Sequence, residues 1–170
     1  MKKLLLLPTA IFPWLVCAYL AAFSMKLMFV TDHIEAFICA LLLVFVVAVA
    51  CNIVYMVLSK KENSDSVIQD GLLLKVCHII PYALIFIVGL MIAPLFYFTM
   101  PVIMLLVFLD LCFLWLGNMI SIFGLIKAIR AGGRKELKVV ALICQIFFCA
   151  DILSLFVIYL MERAVKAAAQ

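Results

Sequence analysis

A run of 51 residues from Val76 to Ile126 contains a single formal charge, the carboxylate of Asp110. At about 1.5 Å per residue one helix of that length would reach roughly 76 Å, whereas the hydrocarbon core of a bilayer is roughly 30 Å thick. The run must therefore reverse direction within the chain. Of all 170 residues 71% are hydrophobic and 13% are charged, whereas soluble domains have about one half and one quarter. The sequence thus predicts a protein that crosses a membrane several times.

Five apolar segments are long enough to cross a bilayer as helices. We predict an all-α membrane protein, a single integral-membrane domain built as a bundle of five transmembrane helices: residues 4–23 or 4–30, 36–58, 76–98, 101–126 and 139–161. The reversal between the third and fourth spans is placed at Tyr97–Pro101, because Pro101 disfavours a helical residue before it and suits the first turn of a helix. Pro94 is the weaker candidate, since membrane helices tolerate proline as a kink.

Lysine and arginine predict the orientation of these spans. If the N-terminus is cytoplasmic, ten of them lie on that side and only Lys26, Arg163 and Lys166 lie on the other. This bias predicts a cytoplasmic N-terminus and an outer C-terminus. The predicted location is a plasma membrane, namely the cytoplasmic membrane of a bacterium. Ser59–Lys75 is expected to be a polar loop, with Lys75 and His78 at the cytoplasmic rim. A basic cluster is expected to contact anionic headgroups: Lys127, Arg130, Arg134, Lys135 and Lys138.

The N-terminus allows a second interpretation. Met1–Lys3 followed by four leucines also begins a secretory signal peptide. The apolar stretch of the first span is longer than the usual signal core of about 7–15 residues. An uncleaved first span is therefore favoured, and cleavage within Ala18–Ser24 is the alternative.

Two carboxylates fall inside predicted spans, Asp110 and Asp151. A charge near the bilayer centre costs about 2.5–3.5 kcal/mol on insertion scales and usually marks a functional site. Asp110 follows Pro101 by roughly 14 Å of helix, and Asp151 precedes Met161 by roughly 15 Å. If spans four and five both meet the outer face at those ends, the two carboxylates lie at equal depth on neighbouring helices. A close pair would not ionise fully in a medium of low dielectric.

Other polar residues follow stripes along the predicted spans. Asn118 and Ser121 lie on the stripe of Asp110, and Gln145 and Ser154 lie near Asp151. Spans two and three offer Asn52 and Tyr82. Small and polar side chains of this kind also hold membrane helices together, so packing is the simpler explanation for the stripes. The predicted intramembrane site comprises Asp110, Asp151, Asn118, Ser121, Gln145, Ser154, Tyr82 and Asn52.

The sequence argues against an enzyme and predicts no cofactor. The settings of Asp110 and Asp151 do not match those of intramembrane aspartyl proteases, and there is no Gly-x-Ser-x-Gly turn, His-Glu-x-x-His helix or phosphate-binding glycine loop. The seven cysteines form no Cys-x-x-Cys pair and all lie within spans, where they serve as small apolar residues. With only two histidines, a metal site is not expected. Nucleic-acid binding is not expected either.

Two functional hypotheses remain. In the first, the protein binds or transports an ion or small molecule through the carboxylate pair, in a homo-oligomer. In the second, it is a non-catalytic accessory or assembly subunit whose polar stripes contact a larger membrane partner. The small size and the lack of an internal repeat favour the second, whereas the intramembrane carboxylates favour the first.

Overall fold

The computed structural model of the protein is almost entirely helical. It describes residues 2–25, 34–92, 96–132, 135–145 and 148–168; at 19, 21–25, 34–37, 92, 96–103, 148–151, 162 and 165–168 only the backbone is described. The predicted all-helical class is confirmed, and no strand occurs within these ranges. The described residues form six α-helices: α1 (Leu7–Met25), α2 (Ile34–Leu58), α3 (Ser64–Ile92), α4 (Phe96–Arg130), α5 (Lys135–Cys144) and α6 (Phe148–Ala168). A 3-10 turn precedes α1 at Lys2–Leu6, and another follows α2 at Ser59–Lys61.

The two longest helices, α3 and α4, form an antiparallel hairpin with closely approaching backbones. A Cβ atom added to Gly71 would lie 3.2 Å from the backbone of Ser121. One added to Gly124 would lie 3.2 Å from the backbone nitrogen of Ile68. Because these two glycines carry no side chain, the helices approach more closely than larger residues would allow. Ile68 lies three residues before Gly71 on α3, and its neighbour Gly124 lies three residues after Ser121 on α4. The two helices therefore run in opposite directions.

The position of the reversal differs from the prediction. Helix α3 ends at Ile92 and α4 begins at Phe96, so the chain does not turn at Tyr97–Pro101. Pro101 lies inside α4, which agrees with the tolerance of membrane helices for proline. The prediction that favoured Pro101 is therefore wrong. The weaker candidate, Pro94, falls in the interval 93–95, outside the described residues.

Helix α5 runs antiparallel to α4. Near its start, the ammonium of Lys138 donates to the carbonyl of Ala128 at 3.1 Å, close to the end of α4. Just beyond its last residue, the carbonyl of Gln145 accepts a hydrogen bond from Asn118, ten residues earlier on α4. We call the end of the bundle that carries Lys127 and Lys138 the basic end. Along α5 the chain runs from this end into the interior of the bundle.

Helix α6 returns towards the basic end. Its residue Ser154 lies at the level of Gln145, within hydrogen-bond distance of that side chain. Nine residues later, Arg163 lines a surface groove with Asn63 and Asp65, where α3 begins. Helices α5 and α6 thus form a short hairpin, with its tip inside the bundle and both outer ends at one face.

This hairpin changes the predicted topology. The predicted fifth span, 139–161, is not one helix, because α5 ends at Cys144 and α6 begins at Phe148. Arg163 lies at the same end of the bundle as Lys2, whose ammonium forms an ion pair with Glu62. The five-span arrangement, with the two termini at opposite faces, is therefore not confirmed. The prediction had treated 139–161 as a continuous crossing.

Helices α1 and α2 complete the bundle. The aromatic centre is formed by Phe12 on α1, Phe113 on α4 and Tyr82 on α3, with ring centroids 5.3 Å apart for the first pair and 6.1 Å apart for the last pair. Edge-to-face contacts of this kind stabilise apolar cores beyond the area they bury. The N-terminal turn is held by the ion pair of Lys3 with Asp70, 3.0 Å long.

The predicted polar loop 59–75 is largely helical. Only 62 and 63 separate the 3-10 turn from α3, which starts at Ser64. Val67 and Ile68, near the start of α3, are fully buried. Most polar residues of this segment are exposed, and their density had suggested a loop, but Asp70 and Lys75 are buried.

The outer surface of the described bundle is strongly apolar. Within the part of the chain that the structure describes, three helical segments are long and apolar enough to cross a membrane: Ile38–Lys61, Ser64–Met91 and Met104–Arg130. Exposed side chains on these helices include Leu43, Phe86 and Met91, each at least 68% exposed. A soluble protein seldom exposes so continuous an apolar surface. The architecture is therefore compatible with a membrane protein.

Candidate functional site

One layer of polar side chains crosses the interior of the bundle and has members on α1, α2, α3, α4 and α6 and on the residue that follows α5. We call it the polar layer. Six of its seven members are buried, between 0 and 7% exposed. On α4 the layer lies nine residues before Lys127, which is about 14 Å from the basic end. Its members are Thr9, Asn52, Lys75, His78, Asn118, Gln145 and Ser154.

Lys75 brings a charge into the polar layer. Its ammonium donates to Oδ1 of Asn118 at 2.7 Å and to Oε1 of Gln145 at 2.6 Å, and the residue is 3% exposed. These oxygens lie next to the C-terminal end of α5, where the partial negative charge of a helix favours a cation. The expected rim position of Lys75 is wrong, because α3 begins at Ser64 and carries Lys75 three turns into the bundle.

At the break between α5 and α6, amide side chains donate hydrogen bonds to the backbone carbonyls at the end of α5. Nδ2 of Asn118 donates to the carbonyl of Gln145 at 2.6 Å, and Nε2 of Gln145 donates to the carbonyl of Ala141 at 3.2 Å. The same Nε2 lies 3.3 Å from Oγ of Ser154. Carbonyls at the end of a helix have no partner within that helix, and an unpaired one is costly away from water. Asn118 and Gln145 therefore stabilise the helix end inside the bundle.

The other half of the polar layer supplies a hydrogen bond that Pro13 removes from α1. Pro13 lies inside α1 and has no N–H to donate to the carbonyl of Thr9, four residues earlier. Nε2 of His78 is 3.0 Å from that carbonyl oxygen, so this ring nitrogen carries the proton. Oγ1 of Thr9 donates to Oδ1 of Asn52 at 2.8 Å, and Nδ2 of Asn52 donates to the carbonyl of Leu116 at 3.2 Å.

Four of the eight predicted site residues belong to the polar layer: Asn52, Asn118, Gln145 and Ser154. Two others are buried elsewhere. Ser121 donates to the carbonyl of Gly117 at 3.3 Å and lies against α3, which is a packing role. Tyr82 packs its ring against Phe113 in the aromatic centre.

The predicted carboxylate pair stays a prediction. Asp110 is half-buried on α4, two turns beyond the polar layer, and makes no side-chain hydrogen bond or ion pair among the described residues. The side chain of Asp151 lies outside the described residues. The argument for equal depth assumed that span five runs outward, whereas α6 runs towards the basic end.

Sequence reasoning missed Lys75, His78 and Thr9 as members of the site. A signal was present in α3, since Gly71, Lys75, His78 and Tyr82 are spaced by four, three and four residues and so share one helix face. The predicted span began at Val76, which left Gly71 and Lys75 outside the helix and placed His78 at its rim. The role of Thr9 depends on a proline on its own helix and a histidine on another. No local pattern reveals it.

The basic end of the bundle has its own polar contacts. Lys127 donates to the carbonyl of Ser59 at 2.7 Å, and Lys138 donates to those of Ala128 and Gly132 at 3.1 and 2.9 Å. These bonds satisfy carbonyls at the ends of α2 and α4. Lys138 is only 6% exposed. The predicted contact of the five basic residues with anionic headgroups stays a prediction; Arg130 and Lys135 are exposed, and Arg134 lies outside the described residues.

The chain shows no match to any protein-family model, to curated proteins or to solved structures. The six cysteines that the structure describes are free, and the described residues contain no group of three metal-ligating side chains.

Proposed function

We propose that the protein is a small integral membrane protein that binds or transports an ion or small polar molecule at the polar layer. The supporting observation is the α5–α6 hairpin, which ends inside an apolar bundle beside the buried ammonium of Lys75. Helices that break at membrane depth occur where the broken backbone is buried in protein or lines a cavity. In transporters, such breaks form the substrate site.

The chemistry of the polar layer suits a solute that carries oxygen atoms. The ammonium of Lys75 is held by two amide oxygens, from Asn118 and Gln145. Amide side chains rotate without a change of charge, so a solute oxygen could replace either of them on the ammonium. The displaced amide would then offer both a donor and an acceptor to the same solute.

The second candidate is the accessory or assembly subunit. It is favoured by a different observation: the described polar atoms of the layer bond to one another. Among the described residues, Oγ of Ser59 is the one buried side-chain polar atom without a partner, and Ser59 lies outside the layer. A fully bonded network rigidifies a bundle without any ligand.

We also propose that the basic end faces the cytoplasm of a bacterial cell. The hairpin brings Arg163 to the end that carries Lys2, Lys61 and Lys127. The excess of basic residues at one end is therefore larger than the five-span prediction assumed. By the positive-inside rule this end is cytoplasmic.

A flux assay separates the two functions. Purified protein would be placed in vesicles, and the flux of H⁺, Na⁺, K⁺ and Cl⁻ measured under imposed gradients. Transport predicts flux that Lys75→Met abolishes and Lys75→Arg partly retains, because Arg keeps the charge with a different geometry. Lys60→Met is the matched control, since Lys60 is exposed at the basic end.

The carboxylates are tested in the same vesicles. Transport through them predicts that Asp110→Asn and Asp151→Asn leave the protein folded but lower the flux. If no ion moves through wild-type protein, and a membrane protein co-purifies with it at fixed stoichiometry in mild detergent, the accessory function is favoured.

A further inference from the structure

The α5–α6 hairpin covers one side of α4 only as far as the polar layer. Asn118, which the hairpin covers, is 7% exposed. Leu111 lies seven residues earlier, two turns along the same face, and is 57% exposed; Val107, one further turn along, is 52% exposed. Among the described residues the cover therefore ends at the polar layer, and on the same side of α4 Val107 and Leu111 are more than half exposed.

Asp110 lies at the edge of this uncovered side. It is half-buried, and among the described residues it has no hydrogen bond or ion pair. It is 17 residues before Lys127, so it lies about 25 Å from the basic end. Lipid tails offer a carboxylate no partner, which is why ionisable groups inside membranes pair with other groups or serve a function.

We propose that the uncovered side of α4 around Asp110, Val107 and Leu111 binds a transmembrane helix of a different membrane protein, one that places a lysine or arginine at the level of Asp110. This proposal goes beyond the binding function of the polar layer and does not depend on it. Apolar residues around a single charge are the composition of a helix–helix contact held by one polar pair.

Charge complementarity favours a different protein over a second copy. The described helices carry no lysine or arginine between Val76 and Ile92 on α3, or between Phe96 and Ile126 on α4. His78, the one histidine in those segments, is buried and donates to Thr9. A second copy docked through the same face would bring a second Asp110 to the first, and like charges disfavour one another in low dielectric.

The probe is a model transmembrane helix of leucine and alanine with one central lysine, labelled with a fluorescent acceptor. The full-length protein, with a fluorescent donor fused after its C-terminus, would be mixed with this helix in vesicles. The proposal predicts association about three- to tenfold stronger than with a helix that has leucine in place of lysine, the range expected for one interhelical polar contact. Asp110→Asn and Asp110→Leu should remove the difference, and Asp110→Glu should keep most of it.

A matched control moves the carboxylate to another face. The double variant Asp110→Asn with Leu43→Asp places the acid on α2, where Leu43 is 68% exposed. If this variant captures the lysine helix as well as wild type, charge alone explains the binding and the proposal is overturned. Equal binding of lysine and leucine helices to wild type would show that lipid covers this side and also overturns it. Donor–acceptor transfer between two copies that Asp110→Asn abolishes would identify the occupant as a second copy instead.

Discussion

Replacement of Asn118 by leucine tests whether the polar layer holds the α5–α6 hairpin in the bundle. The variant loses the bond from Lys75 at 2.7 Å and the bond to the carbonyl of Gln145 at 2.6 Å. Single interhelical hydrogen bonds in membranes contribute about 0.6 kcal/mol on average and up to about 1.7 kcal/mol. Two such bonds predict a loss of about 1–3 kcal/mol, which is roughly 5- to 150-fold in an opening equilibrium.

The measurement uses Cys144, the last residue of α5, in a protein whose other cysteines are replaced by alanine. Cys144 is half-buried and free, so its rate of reaction with a maleimide reports how often the hairpin opens. We expect Asn118→Leu to raise that rate by the factor above and to lower the melting temperature in detergent. Trp115→Leu is the control, because Trp115 lies on the same helix and is 64% exposed. Unchanged labelling and melting in Asn118→Leu would refute the role assigned to the polar layer.

Three further predictions use stability and accessibility. Reporter fusions should place the C-terminus on the same side as the loop between α2 and α3; opposite sides would contradict the α5–α6 hairpin. His78→Leu should destabilise the protein by about 1–2 kcal/mol because the carbonyl of Thr9 loses its donor. In a double-mutant cycle Pro13→Ala should recover most of that loss by restoring the helical N–H, and additive effects would disprove the compensation. Gly71→Ala should lower the free energy of unfolding by about 1–3 kcal/mol through overpacking. Gly89→Ala, with no atom near the added Cβ, should not destabilise the protein. Equal melting temperatures of the two variants would contradict the close approach of α3 and α4.

The sequence predicted the helical class and the antiparallel pairing of α3 with α4, because long apolar runs and short connections are local signals. It placed the start of α3 and the reversal after it too late in the chain. Four members of the polar layer were also predicted, since Asn52, Asn118, Gln145 and Ser154 stand out among apolar neighbours. Composition cannot reveal a helix break that side chains from other helices satisfy. The segment 139–161 is apolar enough for one span, and it is broken at Gln145, whose carbonyl is bonded by Asn118.

For Lys75 the prediction placed a buried residue at the surface. Its charge placed it at a membrane surface in the prediction, because a lysine next to an apolar run usually marks the end of a span. In the structure the polar groups that hold it come from α4 and from the residue after α5. These partners are 43 and 70 residues away in sequence. Such distant partners are visible only when the packing of the helices is known.

The order in which the ribosome makes the chain gives the polar layer a further consequence. Lys75 is synthesised before Asn118, and Gln145 is the last of the three to emerge. Until α5 has been made, the ammonium of Lys75 lacks one of the two oxygens that hold it in the folded protein. A truncated chain that stops within α5 would leave that ammonium without the Gln145 side chain.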